Sequence, residues 1–450
     1  MATEDENSMI VNGPVGLFVR FALPSTLGML AISSASIIDG IFVGNYVGAD
    51  ALAALSLTAP FFGLVFGVLI MLAVGSAVIA GQHVGEGRQD SANDVFSQAL
   101  VFVLMLFALL ACVLLLFPEQ VVRLFGARGG LLDLSAEYVW VLGWFLPVLA
   151  VDLLLSHFLR VDGRPGLVLA GMMIPAVGNV ALDYILIAWF ELGVTGAALA
   201  TGLSYVFGLL IMLSHFLSAR ARLRFVRPSG SFRSLVQASR NGFSEFLNES
   251  SGGLIVFLFN WILIVSIGTE GVAAFTIVNY MLFLGVLLFY GVSEGVVPLI
   301  SVNHGAGKFV RTRSFLNCAI VFNLACGMLL AAILFLWPRE LISLFLEREE
   351  TEGVVELAVE FTRVVWFLFL LNGISIAVSA YFTGTGQAGK SALIAFARAL
   401  FLPVALIALF WQIWGYMGAF YALPLAEFAT LLLCFVLLRK KSRSLLGAEL

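Results

Sequence analysis

Charge is scarce in this sequence. Only 12% of its 450 residues are Asp, Glu, Lys or Arg, where an ordinary soluble domain has roughly 25%. With a hydrophobic content of 61%, that shortage excludes a water-soluble enzyme or scaffold, whose core could not hide so much apolar surface. Histidine and cysteine are also rare, at four each. Cys112, Cys318, Cys326 and Cys434 all fall in apolar runs without metal-ligand spacing, so they read as small packing residues. The run Met1-Ala2-Thr3-Glu4-Asp5-Glu6 is acidic where a secretory signal is basic, and no cleaved leader is expected. The apolar runs hold no HExxH, Ser/Lys or His/Asp constellation, so an intramembrane enzyme has no catalytic set.

What is present is apolar length. A helix needs about 20 apolar residues to cross the hydrocarbon core. Twelve such segments lie at about 15–43, 51–80, 95–117, 134–158, 167–189, 196–217, 242–266, 273–302, 315–337, 354–382, 391–413 and 418–438. The sequence therefore predicts an all-α membrane protein of twelve transmembrane helices. Its connections are short and glycine-rich, except for a basic stretch over 218–240 holding Arg220, Arg222, Arg224, Arg227, Arg233 and Arg240. This divides the chain into a six-helix lobe at 1–217, a linker at 218–240 and a second six-helix lobe with a short basic tail at 241–450.

Orientation follows from the basic residues. With the N-terminus inside, the inner side holds Arg20, Arg88, Arg160, Arg164, the linker arginines, Lys308, Arg311, Arg313, Lys390, Arg398 and the tail Arg439, Lys440, Lys441 and Arg443. The outer side holds Arg123, Arg128, Arg339, Arg348 and Arg363. Both termini are expected in the cytoplasm of a bacterium, and the linker reads as an inner-leaflet tether and not as a nucleic-acid patch.

The two halves repeat. A shift of 220 places Gly48 on Gly268, Ala53 on Ala273, Gly75 on Gly295, Gly85 on Gly305, Arg88 on Lys308, Pro118 on Pro338 and Phe125 on Phe345. Six spans per half make the repeat parallel, with its axis along the membrane normal. Two such bundles face each other across a central cleft, and rocking one against the other opens the cleft to one side at a time.

Certain stretches resemble a known family, the multidrug and toxic compound extrusion (MATE) transporters, over nearly the whole chain. They are Ile38-Asp39-Gly40-Ile41-Phe42-Val43-Gly44, Gly81-Gln82-His83-Val84-Gly85-Glu86-Gly87, Leu159-Arg160-Val161-Asp162-Gly163-Arg164-Pro165, Asn179-Val180-Ala181-Leu182-Asp183-Tyr184 and Gly193-Val194-Thr195-Gly196-Ala197. In the second half, Gly242-Phe243-Ser244-Glu245-Phe246-Leu247 and Pro298-Leu299-Ile300-Ser301-Val302-Asn303-His304-Gly305-Ala306 are similar to one bacterial branch. The resemblance implies an antiporter of the cytoplasmic membrane that exports organic cations or other amphipathic compounds against inward H+ or Na+. It implies no cofactor beyond that ion, no nucleic acid, and small amphipathic substrates and membrane lipid as partners. A monomer is expected.

An acid inside an apolar span is a functional-site hypothesis by default. Asp39 ends the first apolar run, and Asn179 and Asp183, four apart, share one face of the fifth span. Two carboxylates and an amide there suit ion coupling, because two neighbouring acids at low dielectric do not both stay ionised. A Na+ held by Asp39, Asn179 and Asp183 would relieve the same repulsion. The resemblance adds Tyr138 and Thr201 to this ion site and marks Pro24 as a bend in the first span. Some family members use an acid deeper in the seventh span, but the position near Gly253 is not acidic here, which favours the N-terminal site.

In the second half, Glu245, Glu249 and Glu294 either line the cleft and attract a cationic substrate or pair with Arg398 as struts. Some of Tyr280, Phe283, Phe289 and Tyr290 on the eighth span, with Phe61, Phe62 and Phe66 on the second, are expected to offer aromatic surface to the cleft. Asp152, His157, Arg160 and Asp162 read as one salt-bridge network at the inner surface. Gly384 to Ser391 matches the phosphate-loop pattern GxxxxGK[ST], but it joins two spans where that loop needs a strand before a helix, so no nucleotide is expected. The alternative function is a flippase for lipid-linked oligosaccharides. It would need arginines in its central cavity, and here Arg398 is the main one outside the loops.

Overall fold

The computed structural model describes residues 8–231, 233–343, 345 and 352–446. The acidic start Met1–Glu6 and Arg348 lie outside the described residues, as do the side chains of Lys440, Lys441 and Arg443. No strand occurs among the described residues.

The first lobe contains α1 (Pro14–Phe42), α2 (Ala49–Gly85), α3 (Gln89–Leu116), α4 (Gly130–Val161), α5 (Pro165–Asp183) and α6 (Gly193–Phe216). The second contains α7 (Arg233–Ser266), α8 (Thr269–Gly305), α9 (Phe309–Leu336) and α10 (Leu368–Gly384). Helix Glu352–Val365 leads into α10 at a 50° bend. α11 begins at Ala388–Phe396 and runs on through a π-turn. Helical geometry breaks at Trp414 and Gly415, and α12 occupies 416–446. At that break Gly415 takes φ +64°, a conformation that costs L-residues with a Cβ but not glycine. Among the described residues ten helices are long and apolar enough to cross a membrane, eleven when the bent pair counts as one span. Dividing the last run at Gly415 gives the twelve passes. Apolar side chains that point outward, such as Leu109 and Phe257, are what a lipid-facing surface requires.

Within the first lobe α4 packs on α2, α3 and α6, and α1 on α5. Across the lobes α7 packs on α2, and α8 on α1 and α2. These crossings are close because glycines lie where backbones meet. A Cβ on Gly75 would lie 2.0 Å from the Ala238 carbonyl oxygen, and one on Gly242 1.9 Å from that of Met71. Gly85 and Gly305 meet the backbone of the opposite lobe in the same way, at Val302 and Gln82. These contacts lie in the halves of α2, α7 and α8 next to the linker. Burial follows the same gradient: the buried side chains of α1 run from Leu17 to Gly28, with Ala35 beyond them, and those of α2 crowd between Val65 and Gly81.

The linker is pinned to the first lobe. Its backbone N–H groups donate from Arg224 to Asn93 Oδ1 at 3.0 Å, from Val226 to Ser97 Oγ at 2.8 Å and from Ser229 to Asp94 Oδ1 at 2.8 Å. α7 starts at Arg233, within the stretch that the sequence assigns to the linker, so the span is longer than its apolar part.

Candidate functional site

Asp39 lies in the last turn of α1 and Asp183 ends α5, both at the end of the lobe away from the linker. α1 packs along α5, and this brings the two carboxyl groups within hydrogen-bonding reach of each other. Asp183 is fully buried, and Asn179 one turn earlier is 6% exposed. Asp39 Oδ1, both Asp183 oxygens and Asn179 Nδ2 have no hydrogen-bond partner among the described residues. Facing ionised carboxylates are acceptors only, so a hydrogen-bond donor, a shared proton or a cation between them would satisfy the pair. Asp39, Asp183 and the Asn179 amide supply the hard oxygens that a small cation takes.

A π-turn follows each acid. Val43–Val47 follows α1 and Tyr184–Trp189 follows α5, and the two turns pack together. A π-turn widens the helix by one residue and is common where helices carry functional groups. Tyr138 on α4 is buried, with its ring 6.3 Å from that of Phe62. Thr201 stands on α6, against α4, and its carbonyl accepts from Ser204 Oγ at 2.7 Å. Its hydroxyl makes no hydrogen bond to the acid pair among the described residues. Pro24 lies inside α1, which continues helically through it.

The second lobe has its own polar centre around Arg398, which a third π-turn, Ala397–Phe401, presents. Arg398 donates from Nη2 to Tyr290 Oη at 2.5 Å and Asn248 Oδ1 at 2.8 Å, and from Nη1 to Asn372 Oδ1 at 3.4 Å. Asn372 Nδ2 donates in turn to Glu427 Oε1 at 2.9 Å. Asn248 Nδ2 and Ser244 Oγ donate to Glu245, each at 3.4 Å. Glu245 thus reaches Arg398 through Asn248. Glu245, Asn248, Tyr290, Glu294 and Arg398 line one narrow internal cavity. Glu249, Tyr280 and Phe283 are exposed. The sequence reading missed Glu427. It is a lone acid in the apolar run of the twelfth span, and the signal that singled out Asp39 applies to it equally.

One reading is corrected. Asp152, His157, Arg160 and Asp162 do not form one network: His157 and Arg160 pair with Glu294 of the other lobe. Asp162 instead accepts from the Arg222 and Leu223 N–H groups and stands 2.5 Å from His215 Nε2. Of the two alternatives left open for Glu294, the pairing with Arg398 is not formed among the described residues. Among the aromatics of the eighth span, Phe289 is fully buried against Phe369. The Gly384–Ser391 loop is a helix-to-helix turn. Lys390 Nζ bonds Gln387 Oε1 at 2.9 Å and sits 5.1 Å from the centre of the Phe382 ring, and Ser391 Oγ bonds Thr383 Oγ1 at 2.5 Å.

Twelve spans in two six-helix lobes, with an acid pair inside one of them, define a multi-pass membrane transporter. The MatE family model matches residues 24–185 and 245–423, and the chain belongs to that family. It is 26% identical over 426 residues to Multidrug export protein MepA of Staphylococcus saprophyticus, covering 94% of this chain and 92% of that one. It is 27% identical over 416 residues to the protein of the same name from Staphylococcus aureus, covering 91% and 90%. A crystal structure of MATE in complex with MaL6 superposes with a TM-score of 0.92 at 23% identity, over 98% of this chain and 99% of that one; at that identity the match speaks for the fold.

Proposed function

We propose that this protein is a cation-coupled antiporter that exports small amphipathic organic cations by alternating access. The Asp39–Asp183 pair is the observation that carries this reading. Its two carboxyls face each other in a lobe joined to its twin by close backbone contacts near the linker. A proton or a Na+ fits between them, held by Asp39 and Asp183 with Asn179 beside, and Tyr138 and Thr201 bound the same lobe. Binding there changes the charge at the tip of α1, and α1 is one of the helices that touch the opposite lobe. The ion is thereby linked to the packing of the two lobes, as coupling requires. The bacterial cytoplasmic membrane, with both termini inside, fits the arginine distribution. The names of the curated relatives support drug export. Glu245 and Glu249 supply negative charge for cationic cargo. Arg398 is engaged by Tyr290, Asn248 and Asn372 and is not available as an anion clamp, which weighs against the lipid-oligosaccharide flippase.

The test is dye efflux from everted vesicles with an imposed proton or sodium gradient. Gradient-driven export of a cationic dye is expected. If neither gradient moves any such dye, the reading fails.

A further inference from the structure

Between α1, α5 and the end of α6, on the linker side of the first lobe, lies a cavity of about 850 Å³. It is separate from the acid pair, which sits at the other end of the same helices. Three basic residues from three different segments line it: Arg20 of α1, Arg164 before α5 and Arg220 after α6. Arg20 and Arg220 are exposed. Beside them the wall is apolar, with Val19, Leu23 and Leu167, and both Val19 and Leu23 are about half exposed. Among the described residues no acid lines the cavity. The nearest on the same segment, Asp162, already accepts two linker N–H groups and faces His215.

We propose that this groove binds an anionic phospholipid. The chemistry is divided as such a lipid is divided. Guanidinium groups suit a phosphodiester, to which they donate paired hydrogen bonds. Valine and leucine carry the adjoining acyl chains. A basic pocket between spans at the membrane surface is where an anionic headgroup gains most from charge. The volume lies in the range of small-molecule sites, enough for a glycerophosphate headgroup and the first part of its chains. Pro24 is also part of the wall, so the bound lipid rests against α1. A free phosphate compound would use the arginines but leave the apolar wall uncovered.

The experiment is native mass spectrometry of the purified full chain, titrated with phosphatidylglycerol or with phosphatidylcholine of the same acyl chains. Phosphatidylglycerol is expected to bind about tenfold more tightly or better, the scale of one or two charge-assisted contacts. The variant R20Q/R220Q should bind the two lipids alike, whereas R20K/R220K keeps part of the preference. Leu23→Trp leaves every charge in place and fills the apolar wall, so it should lose phosphatidylglycerol too, and it decides the matter if the double variant does not fold. Glycerol 3-phosphate should not displace the lipid. Equal affinity for both lipids in the wild type, undiminished preference in both R20Q/R220Q and L23W, or displacement by glycerol 3-phosphate would each overturn the proposal. Asp39→Asn should bind the lipid normally, so the result stands apart from whether transport is ion-coupled.

Discussion

Glu294 on α8 joins the two lobes through α4: its Oε2 lies 3.2 Å from His157 Nδ1 and 3.4 Å from Arg160 Nη1. Arg160 is 2% exposed and also donates to Ser25 Oγ of α1 at 3.2 Å. The bridge therefore ties three of the interface helices together near the linker. Removing one partner of a buried ion pair costs about 3–5 kcal/mol, mostly through the charge left behind. Only the joined arrangement contains this pair, so Glu294→Gln is expected to weaken it relative to one in which the linker-side ends separate. Spin labels at Arg88 and Arg313, one on each lobe, should report a longer or broader distance distribution in the variant. An unchanged distribution would mean that the bridge does not hold the lobes.

The acid pair makes a different demand. Asp39→Asn and Asp183→Asn are each expected to reduce gradient-driven dye export to background. Each should leave folding intact, because a neutral amide relieves the repulsion between two acids at low dielectric. Thermal stability in detergent should stay equal or rise. Full export by either variant would remove the pair as the ion site.

The interlobe glycines offer a test with an internal control. Gly242→Ala would place a methyl 1.9 Å from the Met71 carbonyl oxygen, which only backbone displacement relieves, and overpacking of this kind costs about 1–3 kcal/mol. Gly253 lies on the same helix with nothing within 4 Å of its would-be Cβ, and alanine there should stabilise the helix by up to about 1 kcal/mol. Melting temperatures should therefore move in opposite directions for the two variants. If they move together, the α7–α2 crossing is not tight.

Much of this was legible in the sequence. Asp39 and Asp183 stood out as acids in apolar runs, and the four-residue step from Asn179 set a shared face. The repeat anticipated two six-helix lobes because glycines recur in register. The π-turns after the acids were not legible, since one extra residue per turn leaves hydrophobic periodicity almost unchanged. The grouping of Asp152, His157, Arg160 and Asp162 failed for a geometric reason. His157 and Arg160, three apart, share a helical face and turn to α8, while Asp152 and Asp162 fall on other sides. The linker's pins, Asn93, Asp94 and Ser97, were invisible because each depends on a partner more than a hundred residues away.

Arg398 stands among acids and amides, and its geometry favours the strut over the cargo-facing role. It is buried and touches Tyr290, Asn248 and Asn372, and it reaches Glu427 through Asn372. Arg398→Leu would leave Glu427 and Glu245 without their cation, so a loss of about 3–5 kcal/mol is expected. Arg398→Lys keeps the charge but cannot span three acceptors with a planar fork, and an intermediate loss should follow. Combining Arg398→Leu with Glu427→Gln removes the cation and one orphaned acid together. If the two residues act as one unit, the double variant should be more stable than the sum of the single effects implies. Thermal melts with and without a cationic dye separate the roles. A strut loses stability equally in both conditions, whereas a residue that faces cargo would instead reduce the shift that the dye induces.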